Sequence, residues 1–372
     1  MQFKDKHKSI VNQQEYFQNI NIFACDNHAR KFHIVSAGLI NYLPAIPFVK
    51  HEEIYKGILF HRHLSTIEQD CIQALKTCQI EDFSADSLTM LKSKPAIICT
   101  FHLGSYRLLN LLLSQHDIPF SLVVSEQVVQ IQGADIIEIQ SKLSKSTFSL
   151  ISADAPGSAL KMLIELKKGR SLLIYIDGNT GSGRHTAEND NSCRISFLNQ
   201  ALMVRRGIGF LAHAAGVPVL PSICYRKSIH EISLKFFELI FPNQQMDRYS
   251  FSKVLVQRVY DLAAPYIEKY PEQWEAWLYL PKVAQLINPF NGAKIPITAV
   301  SNGELKFDTF RFGLFKTTKN NYIFDKSNFL SYPIMSGMYD KLLNATTKPF
   351  CNNGVDDSTF AELLNNGILI NS

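Results

Sequence analysis

The chain has 372 residues, of which 46% are hydrophobic and 19% charged, with a formal net charge of +5. That length suits one large domain with a smaller companion, and that composition excludes a disordered or fibrous chain. The mild basicity is spread out, apart from a short solvated opening (Lys4, Lys6, Lys8), so it fits anionic substrates, a carrier protein or a membrane surface, and no nucleic-acid motif is present.

The cysteines are Cys25, Cys71, Cys78, Cys99, Cys193, Cys224 and Cys351, with no C-x-x-C pair. An odd count without that spacing reads as reduced thiols, with neither a disulfide framework nor a zinc or other metal site. No signal peptide is evident. The apolar stretch 34–49 contains Asn41, Pro44 and Pro47 and is shorter than the roughly 20 residues of a spanning helix. It reads as a buried helix and loop. A cytoplasmic protein is expected, with peripheral contact to the inner membrane allowed.

In chain order, residues 1–92 look helical and packed on the core. Tyr55, Ile58, Leu59 and His63 follow a helical spacing, and so do Ile67, Cys71, Ile72 and Leu75. Residues 93–287 alternate strand-like runs (96–101, 120–124, 148–152, 171–176, 217–224, 232–237) with helices near 105–115, 157–168 and 201–215. That rhythm predicts an α/β core with a mixed sheet flanked by helices. A further helix is expected over 251–269, capped by Ser250 or Ser252. The segment Asn288-Pro289-Phe290-Asn291-Gly292 marks a boundary. Residues 289–372 then read as a small α+β domain, with strands over 309–315 and 321–324 and helices near 330–343 and 358–365.

Chemistry concentrates at the ends of the core strands, where open α/β sheets bind ligands. His102 follows the run 96–101 and precedes Gly104, so it stands at a strand end as a candidate general base. The alternative is a core histidine bonded to a backbone carbonyl. Amides near Gly104 and Ser105 are expected to face the same space and favour an oxyanion. Ser105 is a candidate nucleophile or substrate contact, and also a candidate helix cap. Cys99 lies inside the strand and reads as inert. Asp177 and Asn179 follow the run 171–176 and begin a Gly-rich loop that has neither a P-loop ending nor a dinucleotide fingerprint. Arg205 and Arg206 open the expected helix 201–215, where they could bind phosphate or carboxylate or simply form an exposed face.

These features occur in an order that resembles the bacterial lipid A late (lauroyl/myristoyl) acyltransferases, within the lysophospholipid and glycerol-phosphate acyltransferase superfamily. The matching stretches are His102-Leu103-Gly104-Ser105-Tyr106-Arg107, then Leu172 to Asp177 and Asn179, then Val217-Pro218-Val219-Leu220-Pro221, and finally Tyr270-Pro271-Glu272-Gln273-Trp274-Glu275-Ala276-Trp277. The resemblance covers about residues 45–285. It implies a glycerol-phosphate acyltransferase-like sheet and His102 as catalytic base. It also implies transfer of an acyl or aminoacyl group from the phosphopantetheine of an acyl or peptidyl carrier protein, or from a coenzyme A thioester, with no bound cofactor. The family has an acid five residues after the histidine. Here that place holds Arg107, so the acid role carries to no residue of the motif, and Arg107 becomes a candidate cation for an anionic part of donor or acceptor. An amine acceptor, which needs less help from an oriented base, suits a lost acid, in natural-product biosynthesis or envelope modification. A non-catalytic acyl- or carrier-binding protein is the other reading. The ending Leu363-Leu364-Asn365-Asn366-Gly367-Ile368-Leu369 faintly resembles small winged-helix peptide-binding modules, which implies a peptide or carrier partner for the last domain.

Overall fold

The computed structural model describes residues 3–69, 71–84, 86–143, 148–178, 187–289 and 304–371. Its helices are α1 (Phe3–Gln18), α2 (Asp26–Tyr42), α3 (His51–Glu68), α4 (Ile72–Lys76), α5 (Ser87–Ser93), α6 (Leu108–Gln115), α7 (Glu126–Leu143), α8 (Ser158–Lys167), α9 (Gly207–Ala215), α10 (Arg248–Lys269), α11 (Ser336–Asn344) and α12 (Asp357–Asn365). The chain forms two compact units that interleave along the sequence. One comprises Met1–Gln18, Lys56–Ala276 and Lys282–Gln285; the other comprises Asn19–Tyr55, Trp277–Pro281 and Leu286–Ser372. The stretch 1–92, expected to pack on the core as one segment, is therefore shared between them.

The first unit is α/β. Its strands are β1 (Cys78–Asp82), β2 (Ile97–Thr100), β3 (Phe120–Val124), β4 (Phe148–Ser152), β5 (Ser171–Tyr175), β6 (Ser192–Phe197), β7 (Gln200–Arg205), β8 (Val219–Arg226), β9 (Ile232–Phe236) and β10 (Ala284–Gln285). Seven of them make one mixed sheet in the order β1-β9-β8-β2-β5-β3-β4. Every neighbouring pair in it is parallel except β8 with β9. A central parallel strand is covered on both faces, and accordingly every residue of β2 and β8 is buried. Helix α6 buries Leu108, Leu109, Leu111, Leu112 and Leu113, so it is apolar on nearly all sides and lies inside the core. Each such side chain is worth about 1.5–3 kcal/mol of burial.

Two elements differ from expectation. The apolar run after Asn199 is not one helix over 201–215: it is β7 followed by α9. A two-residue turn with Leu198 at φ 50° folds β7 back on β6. The segment Ala201-Leu202-Met203-Val204 is apolar in either period, and antiparallel pairing decides it. The cap of α10 is Asp247, whose side chain accepts from the amides of Tyr249 and Ser250; neither Ser250 nor Ser252 caps it. Among the described residues, no helix is long and apolar enough to cross a membrane.

The second unit is α+β. An antiparallel sheet of β12 (Phe312–Lys316), β13 (Asn321–Asp325) and β14 (Leu330–Ile334) stands beside the pair β11 (Leu305–Phe307) and β15 (Leu369–Asn371). Leu314, Ile323, Leu342, Leu363 and Leu369 belong to its core. Helix α2 belongs here too: His33 Nε2 lies 3.0 Å from the Leu314 carbonyl, and the Asn41 amide donates to the Lys326 carbonyl at 2.8 Å. The stretch expected as a helix over 330–343 is β14 and then α11.

Candidate active site

The register of the sheet builds the site. Strands β2 and β5 are parallel neighbours, and Thr100 pairs with Tyr175. Two residues beyond those paired positions come His102 and Asp177, so the strand ends bring them side by side. The His102 amide donates to both Asp177 carboxylate oxygens, at 3.1 and 3.0 Å. Its ring Nδ1 is 2.7 Å from Asp177 Oδ1. A carboxylate can only accept, so Nδ1 carries the proton and Nε2 is left as the basic nitrogen. The Trp274 indole donates to the other oxygen, Oδ2, at 2.8 Å. Asp177 is buried, whereas the His102 side chain keeps 21% of its surface exposed.

Burial by itself would lower the His102 pKa. The charge and hydrogen bond of Asp177, aided by the more distant Glu275, reverse that and hold it above the ordinary imidazole value. The ring stacks between two tyrosines, with centroids 4.9 Å from Tyr106 and 4.9 Å from Tyr175. Burial, and then the nearby Glu275 carboxylate, push the Tyr106 phenol up to about 12, so it stays neutral. Tyr106 is also the link to Glu275, to which its hydroxyl donates at 3.3 Å and which Arg62 pairs at 3.2 Å.

The segment around Trp274 holds this turn from behind. The Gly104 amide donates to the Gln273 carbonyl and the Glu275 amide to the His102 carbonyl, each at 3.0 Å. Gly104 has φ 55°, and a Cβ there would stand 2.8 Å from Gln273 Oε1 and 2.9 Å from the Cys224 carbonyl oxygen. Glycine is therefore required for both its conformation and its space. Because its amide is engaged by Gln273, Gly104 does not supply the expected oxyanion donor.

A pocket opens from His102, walled on one side by Leu122, Val124, Val128, Ile136 and Ile139. Tyr106, Arg107, Asn110 and Tyr175 line it with Gln69, Gln132 and Gln140. Arg107 thus shares a pocket with His102. Its Nη1 donates to Gln69 Oε1 at 2.6 Å and to Gln132 Oε1 at 3.4 Å.

The other residues singled out in the sequence lie elsewhere or have other partners. Asp177, expected to touch substrate, is buried behind His102 and fully engaged by it and by Trp274. Ser105 is buried with its hydroxyl unpartnered among the described residues, and α6 begins behind Arg107, so Ser105 is not its cap. Arg205 ends β7 and is exposed. Arg206 precedes α9, with its guanidinium over the rings of Phe210 and Tyr249 and a hydrogen bond to the Asn189 carbonyl. Neither arginine lines the His102 pocket. Asn179 and most of its loop fall outside the described residues. Burial raises the Cys99 thiol far above its usual value, which leaves it unreactive. The partnership of Trp274 with Asp177 and the roles of Gln69 and Gln132 were not foreseen. Trp274 carried the one available signal, since it stands in the Tyr270–Trp277 motif.

No family model and no curated protein matches the chain. Among solved structures it is similar to the 1-acyl-sn-glycerophosphate (LPA) acyltransferase PlsC from Thermotoga maritima, with 14% identity and a TM-score of 0.28, over 64% of this chain and 96% of that one.

Proposed function

We propose that the protein is an acyltransferase in which His102 is the general base and Asp177 orients it. The observation that carries this reading is the short contact of Asp177 with His102 Nδ1 at the mouth of a pocket with an apolar wall. The donor is a thioester, of carrier-protein phosphopantetheine or coenzyme A, with its acyl group along Leu122, Val124, Val128, Ile136 and Ile139. The acceptor is a hydroxyl or an amine. As it attacks the thioester carbon, His102 Nε2 takes its proton and the carbonyl becomes a tetrahedral oxyanion. Collapse breaks the carbon–sulfur bond, and the imidazolium returns the proton to the departing thiolate. Asp177 stabilises the imidazolium between those two transfers.

An amine acceptor was expected because the acid of the motif is missing. Asp177 meets the need for an acid from a neighbouring strand, so that argument no longer separates amines from hydroxyls. A protein that only held acyl groups would have no use for a base oriented in this way.

The test is release of coenzyme A thiol from a panel of acyl thioesters, with hydroxylamine as a small acceptor and the acyl hydroxamate read by mass. His102→Ala should lower the rate by about 10²-fold or more with the fold intact. Wild-type protein no faster than His102→Ala on every donor would leave the binding-protein reading in place instead.

A further inference from the structure

Arg107 sits in the pocket wall without an acid beside it. Among the described residues no carboxylate comes within ion-pair distance of it; Glu275, whose field reaches it, is itself paired with Arg62. The partners of Arg107 are neutral: Gln69 Oε1, Gln132 Oε1 and the Tyr106 hydroxyl. A guanidinium can only donate. Gln69 and Gln132 must therefore turn their carbonyl oxygens to Arg107 and present their amino groups to the pocket. The other two carboxamides are arranged alike. The Tyr175 hydroxyl donates to Asn110 Oδ1, and the Ser114 hydroxyl donates to the Gln140 oxygen.

The result is a pocket end made of donors. It holds one uncompensated cation and four amino groups, none of which has a protein partner among the described residues. A saturated chain laid there would leave all of them unpaired, which is costly. A carboxylate, with acceptor sites only, satisfies them and neutralises the charge. The Tyr106 ring lies between imidazole and guanidinium, 4.9 Å from the former and 5.5 Å from the latter. The anion is thus set one aromatic ring away from the reacting carbon, a span of a few methylenes.

We infer that this pocket selects an acyl group that carries a carboxylate at its far end, bound by Arg107 with the Gln69 and Gln132 amino groups beside it. The inference rests on the acyl-transfer reading for what the pocket holds, and Arg107 is a specificity-determining residue in it.

Glutaryl-coenzyme A and valeryl-coenzyme A test this, because they match in chain length and share every phosphate. Their affinities are measured by calorimetry on His102→Ala protein, and coenzyme A release from both is measured on wild-type protein with hydroxylamine. Glutaryl should be preferred by about tenfold or more, and Arg107→Gln should bring the two within about twofold. A wild-type protein without that preference overturns the inference, whether or not any variant folds. So does Arg107→Gln weakening both thioesters equally, since the anion is then the donor's phosphate. The two readings fail separately. A binding preference with no thiol release from any donor removes acyl transfer and leaves the carboxylate site. Equal release from both donors does the reverse.

Discussion

Asp177 accepts from the His102 amide, the His102 ring and the Trp274 indole, and these contacts do different work. The amide bonds fix where the carboxylate stands. The ring bond sets the tautomer and raises the pKa of the base. The indole bond holds the oxygen that His102 does not use. Asp177→Asn should keep the shape and lose the charge. The imidazolium then forms less readily, and the amide can favour the wrong tautomer, so the rate should fall by about 10²-fold or more. The pH profile separates this from a structural defect. A base works when deprotonated, and His102 is held above the ordinary value of 6.5, so the rising limb of kcat/KM should lie above that pH. In Asp177→Asn the residual activity should show the limb at lower pH. An unmoved limb would mean that Asp177 does not set the ionisation of His102. The sequence displayed both residues at strand ends and concealed their pairing. Seventy-five positions separate them, and only the adjacency of β2 and β5 joins them.

At the scale of elements, the turn 102–107 is held by a second short segment, Pro271–Gln273 with Trp274. Leu103 makes an antiparallel bridge to Trp274, and Gly104 lies against Gln273 too closely for any side chain. Gly104→Ala should therefore be costly. It adds a left-handed backbone penalty to contacts with two backbone atoms that cannot swing away, the Cys224 carbonyl oxygen and Tyr225 Cα, for about 2–4 kcal/mol in all. A thermal melt should drop by about 5 °C or more, and activity should fall further than stability because the turn carries His102. A variant with an unchanged melt and rate would show that the turn is not held by this segment. The motif that contains Trp274 was visible in the sequence, and so were the core strands, whose fully buried runs stand out. The hairpin β6–β7 and helix α7 were not. Four-residue apolar runs fit either period. Along α7, Gln127, Gln130, Gln132 and Gln140 interrupt the apolar stripe that would have announced it. Those same polar residues include two that line the pocket, so the function of the helix is what hid it.

At the scale of the whole molecule, the boundary near Asn288 divides composition but not structure. Its far side reads as a small separable domain, yet the unit formed there also takes Asn19–Tyr55 and Trp277–Pro281. Helix α2 buries Val35, Ala37, Leu39 and Tyr42 completely. Inside that unit Gly38 lies against the Trp277 ring, and Gly313 of β12 lies so close to the His33 ring that a Cβ would stand 2.4 Å from it. Such contacts form only when both ends of the chain are present. A chain ending at Ile287 keeps α2 and removes β12 and β13, which exposes apolar surface that the full chain covers and leaves the Asn41 amide without the Lys326 carbonyl. It should express as aggregate, or as a soluble protein whose residues 19–55 are cut by protease while 56–276 resist. The measurement is limited proteolysis with mass mapping, alongside size-exclusion chromatography, on the full and shortened chains. A shortened chain that stays monomeric, with 19–55 as resistant as in the full protein, would restore a separable carboxy-terminal domain. The interleaving also bears on the active site, because Lys56–Ala276 holds every residue of the His102 pocket. Damage to the second unit should then appear first as lost solubility, with the His102–Asp177 contact persisting in whatever fraction remains folded.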